Sequence, residues 1–174
     1  MKEVRMNPSF QIVRVTKEFS FEMAHLLTEY DGLCRNIHGH SYKLAVTVSG
    51  PICQDVSSPK LGMVMDFSVL KKIVMEEVVD RLDHALVVRK GTRQAEALKG
   101  LAERIIEVEY QPTCENMVCH FAQLIMSRLP EDIKLRKIKL NETATSFAEW
   151  VDSDNTTLNS QSAAVTPKPL NYQK

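Results

Sequence analysis

Two alternating runs near the start of the chain constrain its fold more than any other feature. Phe19, Phe21 and Met23 fall on one parity and Ser20, Glu22 and Ala24 on the other, and His25 continues the apolar row. That is the period of a half-buried strand. After a turn-like stretch at Tyr30-Asp31-Gly32, the second run places His38, His40, Tyr42, Leu44, Val46 and Val48 on one face and Lys43 and Thr47 on the other. Two histidines thus extend the inward row of the second strand, and another ends that of the first.

From Ser49-Gly50-Pro51 a connection runs to Gly62, where the pattern switches to helix. Asp66 or Ser68 can cap it, Phe67, Leu70, Ile73, Val74, Val78 and Leu82 recur at three- and four-residue intervals, and Lys71, Lys72, Glu76 and Glu77 fill the polar side. Residues 89–104 are charged, contain Gly91 and Gly100, and read as an insertion without assigned structure. A short strand from Ile105 to Tyr110 follows. Pro112-Thr113 then opens a second helix with Thr113 as N-cap, Glu115 in the first turn and Met117, Val118, Phe121, Leu124, Ile125 and Leu129 on the buried face. Pro130 ends it. Ile133 to Glu142 alternates again, and Phe147 to Val151 supplies a returning strand. The order strand-strand-helix-helix-strand-strand predicts one α+β domain over residues 10–151. Residues 152–174, rich in Ser, Thr, Asn, Gln and Pro, are expected to form a disordered tail, because so few apolar groups cannot offset the entropy of ordering.

Composition narrows the function classes. The 22 basic and 22 acidic residues create no net field to attract nucleic acid. No apolar run approaches the roughly 20 residues needed to cross a bilayer, and Met1 to Val15 lacks the apolar core of an export signal. A cytoplasmic protein with neither nucleic-acid nor membrane partner is expected. In that reducing compartment the cysteines at 34, 53, 114 and 119 read as thiols, and none forms a Cys-x-x-Cys pair for metal or redox work.

The chemistry-bearing residues follow from these placements. His38 and His40 project to one side of a strand, and His25 from the preceding strand can complete a facial set. Three neutral imidazoles would hold zinc with a fourth position left for substrate. A core histidine at 25 and two turn histidines around Gly39 fit the same letters. Cys34 lies four residues before His38 in the loop entering that region, where a cation and Arg35 would favour a thiolate base or nucleophile. Cys114, at a helix N-terminus, is its rival. Asp83-His84 reads equally as a carboxylate-imidazole pair for proton transfer and as a polar helix end. Glu142 shares parity with Ile138 and Leu140, where an unpaired carboxylate is costly. A bidentate bond to a guanidine-like ligand edge would satisfy it; a strand ending at Leu140 would leave it solvated.

Taken in order, Phe19-to-His25, Cys34-Arg-Asn-Ile-His-Gly-His-Ser-Tyr42, Gly62-Met-Val-Met-Asp-Phe67, Leu82-Asp-His84, Pro112-Thr-Cys-Glu-Asn116 and Glu142-Thr143 resemble the 6-pyruvoyltetrahydropterin synthase family over most of residues 10–151. The resemblance implies the tunnelling fold: a four-stranded antiparallel sheet with two helices on one face, assembled into homohexamers of two stacked trimers with sites at subunit interfaces. It implies His25, His38 and His40 as zinc ligands, Cys34 as catalytic thiol and Asp83 with His84 as proton relay. Glu142 becomes the pterin anchor, Thr113 and Glu115 line the pterin pocket, and Cys114 becomes a pocket residue rather than a catalyst. The Cys-x-x-x-His-Gly-His spacing resembles the bacterial 6-carboxytetrahydropterin synthase branch of queuosine (7-deazaguanine) biosynthesis, which converts 7,8-dihydroneopterin triphosphate to 6-carboxytetrahydropterin, acetaldehyde and triphosphate. The pyruvoyl-forming branch, an aldolase-like relative and a non-catalytic zinc-stabilised assembly module are the alternatives. Val87, the length of residues 89–110 and the tail depart from the family pattern.

Overall fold

The computed structural model describes residues 11–159 and 171–172. Strands β1 (Ile12–His25) and β2 (His38–Pro51) pair antiparallel along their whole length, from Ile12 opposite Pro51 to His25 opposite His38. The alternation dictates their faces: Phe21, Met23 and His25 are buried while Ser20 and Glu22 are exposed, and Tyr42, Leu44, Val46 and Val48 form the matching buried row. Strand β5 (Lys134–Asn141) pairs antiparallel with β2, with a register shift at Thr47/Val48, and β6 (Phe147–Val151) pairs with β5.

This antiparallel quartet is the sheet expected from sequence, but the sheet does not stop there. Strand β3 (Ala85–Arg89) lies parallel to β1, β4 (Ile105–Val108) parallel to β3, and β7 (Asn171–Tyr172) antiparallel to β4, giving the order β6-β5-β2-β1-β3-β4-β7. The four-strand expectation is therefore corrected to a longer mixed sheet. Strand β3 escaped the alternation test because Ala85, Leu86, Val87 and Val88 are all buried, the continuous apolar run of a strand covered on both faces. Val87 stands level with His25 in the β1–β3 register.

Helix α1 (Phe67–Val74) is capped by Asp66, whose carboxylate accepts from the Ser68 amide, and runs through a π-helical turn (Met75–Val79) into α2 (Asp80–Leu82). Thr113 caps α4 (Cys114–Met126) by accepting from the Asn116 amide. The two helical stretches cover one face of the sheet, joining Leu70, Val78, Met117 and Phe121 to Tyr42, Leu44, Ile138 and Leu140 in the main core. The 89–104 stretch is ordered: Thr92 caps α3 (Arg93–Leu98), whose Ala95 and Leu98 pack on Leu26, Leu86 and Val88 as a second small core. The expected disordered tail begins instead with α5 (Asp152–Asn159), tied to β5 by Arg136 donating to Asp152 at 2.6 Å. Residues 160–170 and 173–174 of that expectation lie outside the described residues. Among the described residues no helix is long and apolar enough to cross a membrane.

Candidate active site

The β1–β2 register brings three imidazoles together at the strand ends. His25 and His38 face each other across the pair, His40 follows on the same parity, and their ring centroids are 4.5 to 5.3 Å apart. One nitrogen from each lies within 4.8 Å of the others. His25 is 2% exposed, and its Nδ1 is 2.7 Å from the carbonyl of Pro112, the residue before the α4 cap. A carbonyl only accepts, so Nδ1 carries the hydrogen and Nε2 keeps its lone pair. His38 is fixed in the same way, with Nδ1 2.8 Å from the Asn36 carbonyl. Among the described residues His40 Nε2 is buried without a hydrogen-bond partner, an arrangement that asks for a ligand. Burial holds the His25 pKa below its ordinary value, outweighing the Pro112 bond that raises it, and neighbouring His38 adds to the depression. Neutral imidazoles with aimed lone pairs suit a divalent metal, so the residues present fit the expected one.

Tyr42 is the next residue in the same row and is fully buried. Its hydroxyl donates to Glu142 Oε1 at 3.2 Å and lies 3.5 Å from His25 Nε2. Burial, then the Glu142 charge, pushes its ionisation far above the ordinary tyrosine range, so it stays a donor. Glu142 follows β5 directly, its amide bonded to the Ser146 carbonyl at 3.1 Å, and its carboxylate stands 3.6 Å from His25 Nε2 and 3.8 Å from His40 Nε2. The inward parity inferred for Glu142 thus holds one residue past the strand. Tyr42 was legible only as part of a buried row; its place two residues after His40 was the signal for a role at the site. Gln111 gave no signal at all, yet its side chain receives the Thr28 amide at 3.2 Å and hydroxyl at 2.9 Å and donates to the Thr28 carbonyl at 2.8 Å, locking the loop after β1 to the start of α4.

Cys34 sits half-buried in a 3-10 turn (Leu33–Arg35), its carbonyl accepting from the Leu27 amide at 2.9 Å. It lies outside the three-imidazole group but close enough that its charge would disfavour ionisation of Tyr42. Its rival Cys114 is buried, donates to the Leu140 carbonyl at 3.3 Å, and burial pushes its thiol up to about 11. Desolvation defeats the helix N-terminus there, and an activated thiol at 114 is ruled against. Thr113 spends its hydroxyl on the cap, and Glu115 is exposed in the first turn of α4.

Asp83 and His84 do form a pair, with His84 Nδ1 3.0 Å from Asp83 Oδ2. Glu22 of β1 holds both: its amide donates to Asp83 Oδ1 at 2.9 Å and its carbonyl accepts the His84 amide at 2.6 Å. The Glu22 amide is the main reason the Asp83 carboxyl lies below its usual range, with His84 adding to it. His84 is 76% exposed and lines an open cleft of about 670 Å³ with Glu22, His40, Ser41 and Arg104. Glu22 and Ser41 have the strand parity opposite to the histidines. The Glu22 and Ser41 side chains beside His84 therefore leave the β1–β2 ribbon on the face opposite to the three imidazoles.

A mixed sheet with its main helices on one face and three converging imidazoles at its strand ends defines an α+β domain built around a metal-ready site. The chain belongs to the family described as 6-pyruvoyl tetrahydropterin synthase, whose sequence profile matches residues 14–152. It is 40% identical over 143 residues to the 6-carboxy-5,6,7,8-tetrahydropterin synthase of Haemophilus influenzae, covering 79% of this chain and 97% of that one. The Aquifex aeolicus protein of the same name is 30% identical over 161 residues, covering 78% and 96%. Among solved structures, the 6-pyruvoyl tetrahydropterin synthase of Caenorhabditis elegans superposes with a TM-score of 0.58 at 26% identity, covering 81% of this chain and 96% of that one. An uncharacterised protein of Wolinella succinogenes gives 0.64 at 22%, covering 82% and 99%, and supports the fold alone.

Proposed function

We propose that this chain is a zinc-dependent, cytoplasmic 6-carboxy-5,6,7,8-tetrahydropterin synthase that converts 7,8-dihydroneopterin triphosphate and water to 6-carboxytetrahydropterin, acetaldehyde and triphosphate in queuosine biosynthesis. The observation that carries the reading is the His25/His38/His40 group with an unpartnered His40 Nε2, in a chain 40% identical to a protein named for that activity. Held by these residues, zinc supplies Lewis acidity toward a hydroxyl of the substrate side chain. Glu142, steadied by the Tyr42 hydroxyl, accepts from the guanidine-like edge of the pterin. Thr113 and Glu115, at the start of α4, border the pterin. Cys34 takes a proton from the side-chain carbon beside the polarised hydroxyl. The Asp83-His84 pair moves protons as triphosphate leaves and the carbon chain breaks.

In this reading the exposed Asp83-His84 pair, bordering a cleft beside Glu22 and Ser41, serves the triad of another copy of the chain in a homohexamer of two stacked trimers. The decisive experiment is incubation of the zinc-loaded protein with 7,8-dihydroneopterin triphosphate, followed by mass spectrometry of the pterin and trapping of acetaldehyde as a carbonyl adduct. A retained three-carbon side chain assigns the pyruvoyl-forming reaction instead. Carbon loss without triphosphate release assigns aldolase-type cleavage, and no turnover leaves a zinc-stabilised assembly module.

A further inference from the structure

Residues 89–104 take no part in the chemistry above, yet their last member, Arg104, reaches the helix end just before the Asp83-His84 turn. Arg104 donates from Nη2 to the carbonyl of Asp80 and, at 3.1 Å, to that of Arg81. These carbonyls close the helical stretch that ends at Leu82, where groups lose their helical partners and a cation is favoured. The Arg104 carbonyl in turn accepts the Leu86 amide at 2.9 Å, two residues beyond His84. The turn between them is demanding. His84 has φ +60, a left-handed conformation that a non-glycine residue keeps only where its surroundings hold it. Glu22 restrains the pair from β1, and Arg104 restrains the approach to it from the opposite flank, lining the same cleft beside Glu22 and Glu103. Its positive charge also favours the ionised Asp83 carboxylate.

We infer that Arg104 is a positioning residue for the Asp83-His84 pair: by tying the Asp80 and Arg81 carbonyls it fixes the turn that aims the His84 imidazole. The α3 segment between β3 and β4 is then a brace for the proton-transfer half of the site. The catalytic part of this inference rests on the function proposed above.

Arg104→Met keeps the aliphatic stem and removes the donors; Arg104→Lys returns one donor and the charge. Both are compared with wild type, as full-length zinc-loaded protein, by amide hydrogen exchange and steady-state kinetics. In Arg104→Met the amides of Asp83 and His84, which bond to Val79 and Glu22, should exchange about tenfold faster or more while the β1–β2 amides keep their protection. The kcat should fall roughly 10- to 30-fold with KM and zinc content nearly unchanged, since misaiming a proton-transfer group costs turnover rather than binding. Arg104→Lys should recover a large part of both losses, and it decides the matter if the Met variant fails to fold. Wild-type exchange rates at Asp83 and His84 in the Met variant would overturn the brace, and faster exchange with unchanged kcat would overturn its catalytic meaning. A wild-type protein without turnover sinks the proposed function, while the exchange rates still decide the brace.

Discussion

The two halves of the candidate site are built on opposite terms. At the ends of β1 and β2 the imidazoles are buried or half-buried, two are oriented by backbone carbonyls of Pro112 and Asn36, and the Nε2 of the third is buried without a hydrogen-bond partner among the described residues. At the end of α2, Asp83 and His84 are largely exposed, and their geometry comes from backbone contacts with Glu22 and a left-handed residue. A single chain thus brings its three imidazoles together by itself, because their orienting carbonyls belong to the loop just before β2 and to the residue before the cap of α4. The proton-transfer half is aimed outward, and in the proposed function it works only against a second copy.

The largest expected effect tests the first half. His40→Ala removes the unpartnered Nε2, and zinc per chain measured by elemental analysis should fall from about one to under about a tenth. Activity should drop by about a thousandfold or more with it. Retention of wild-type zinc would take His40 out of the ligand set. The next effect tests the division between halves. Cys34→Ala and His84→Ala should each lower kcat by about 10²- to 10⁴-fold while keeping zinc. Mixing the two inactive chains under conditions that exchange subunits should restore up to about a quarter of wild-type activity, because random mixing pairs an intact cysteine with an intact histidine of another chain in that share of interface sites. No recovery in assemblies shown to be mixed would place both residues in one chain's site and dissolve the comparison.

Smaller effects are expected at the pterin end. Glu142→Gln removes a charge-assisted acceptor, and KM should rise about 10- to 100-fold, the equivalent of about 1.5–3 kcal/mol. Tyr42→Phe leaves the carboxylate in place but takes away its 3.2 Å donor, and KM should rise only about three- to tenfold, with zinc retained. A larger loss of zinc than of pterin affinity in Tyr42→Phe would assign the hydroxyl to the metal half instead.

The contrast also explains what could be read in advance. The histidine group, the inward parity of Glu142 and the caps Asp66 and Thr113 follow from local rules: parity along a strand, and the residue types that accept from the first amides of a helix. Strands β3 and β4 add to the sheet through parallel pairing between distant segments, and β3 shows an unbroken apolar run that local pattern does not distinguish from a helix end. The role of Gln111 depends on Thr28, 83 residues away, and that of Arg104 on the carbonyls of Asp80 and Arg81. Neither leaves a mark on its neighbours in the chain. Reading Asp83-His84 as a pair was possible from adjacency alone, but its attachment to β1 emerges only once Glu22 is seen to hold it.

The smallest predicted effect uses a half-buried histidine as a control for the buried one. His120 on α4 resembles His25 in that burial lowers its pKa from the ordinary 6.5, with the nearby Arg81 charge contributing, and its ring lies 5.2 Å from Tyr110. Unlike His25 it belongs to no metal-ready group among the described residues, and its Nε2, like that of His40, is buried without a hydrogen-bond partner among them. The sign follows from the lowered value: below pH 6.5 the unfolded chain takes up the proton before the folded one does, so the stability present above pH 6.5 is lost as pH falls through the window beneath it. One such group contributes a slope of at most about 1.4 kcal/mol per pH unit. His120→Phe keeps a ring against Tyr110 and removes both the titration and the unpartnered nitrogen. Urea unfolding of the zinc-loaded protein between pH 7 and 5 should show a shallower loss of stability for the variant, with zinc content and kcat at pH 7 unchanged. Equal slopes for variant and wild type would mean that His120 titrates alike in both states, leaving the acid sensitivity of the fold to other groups.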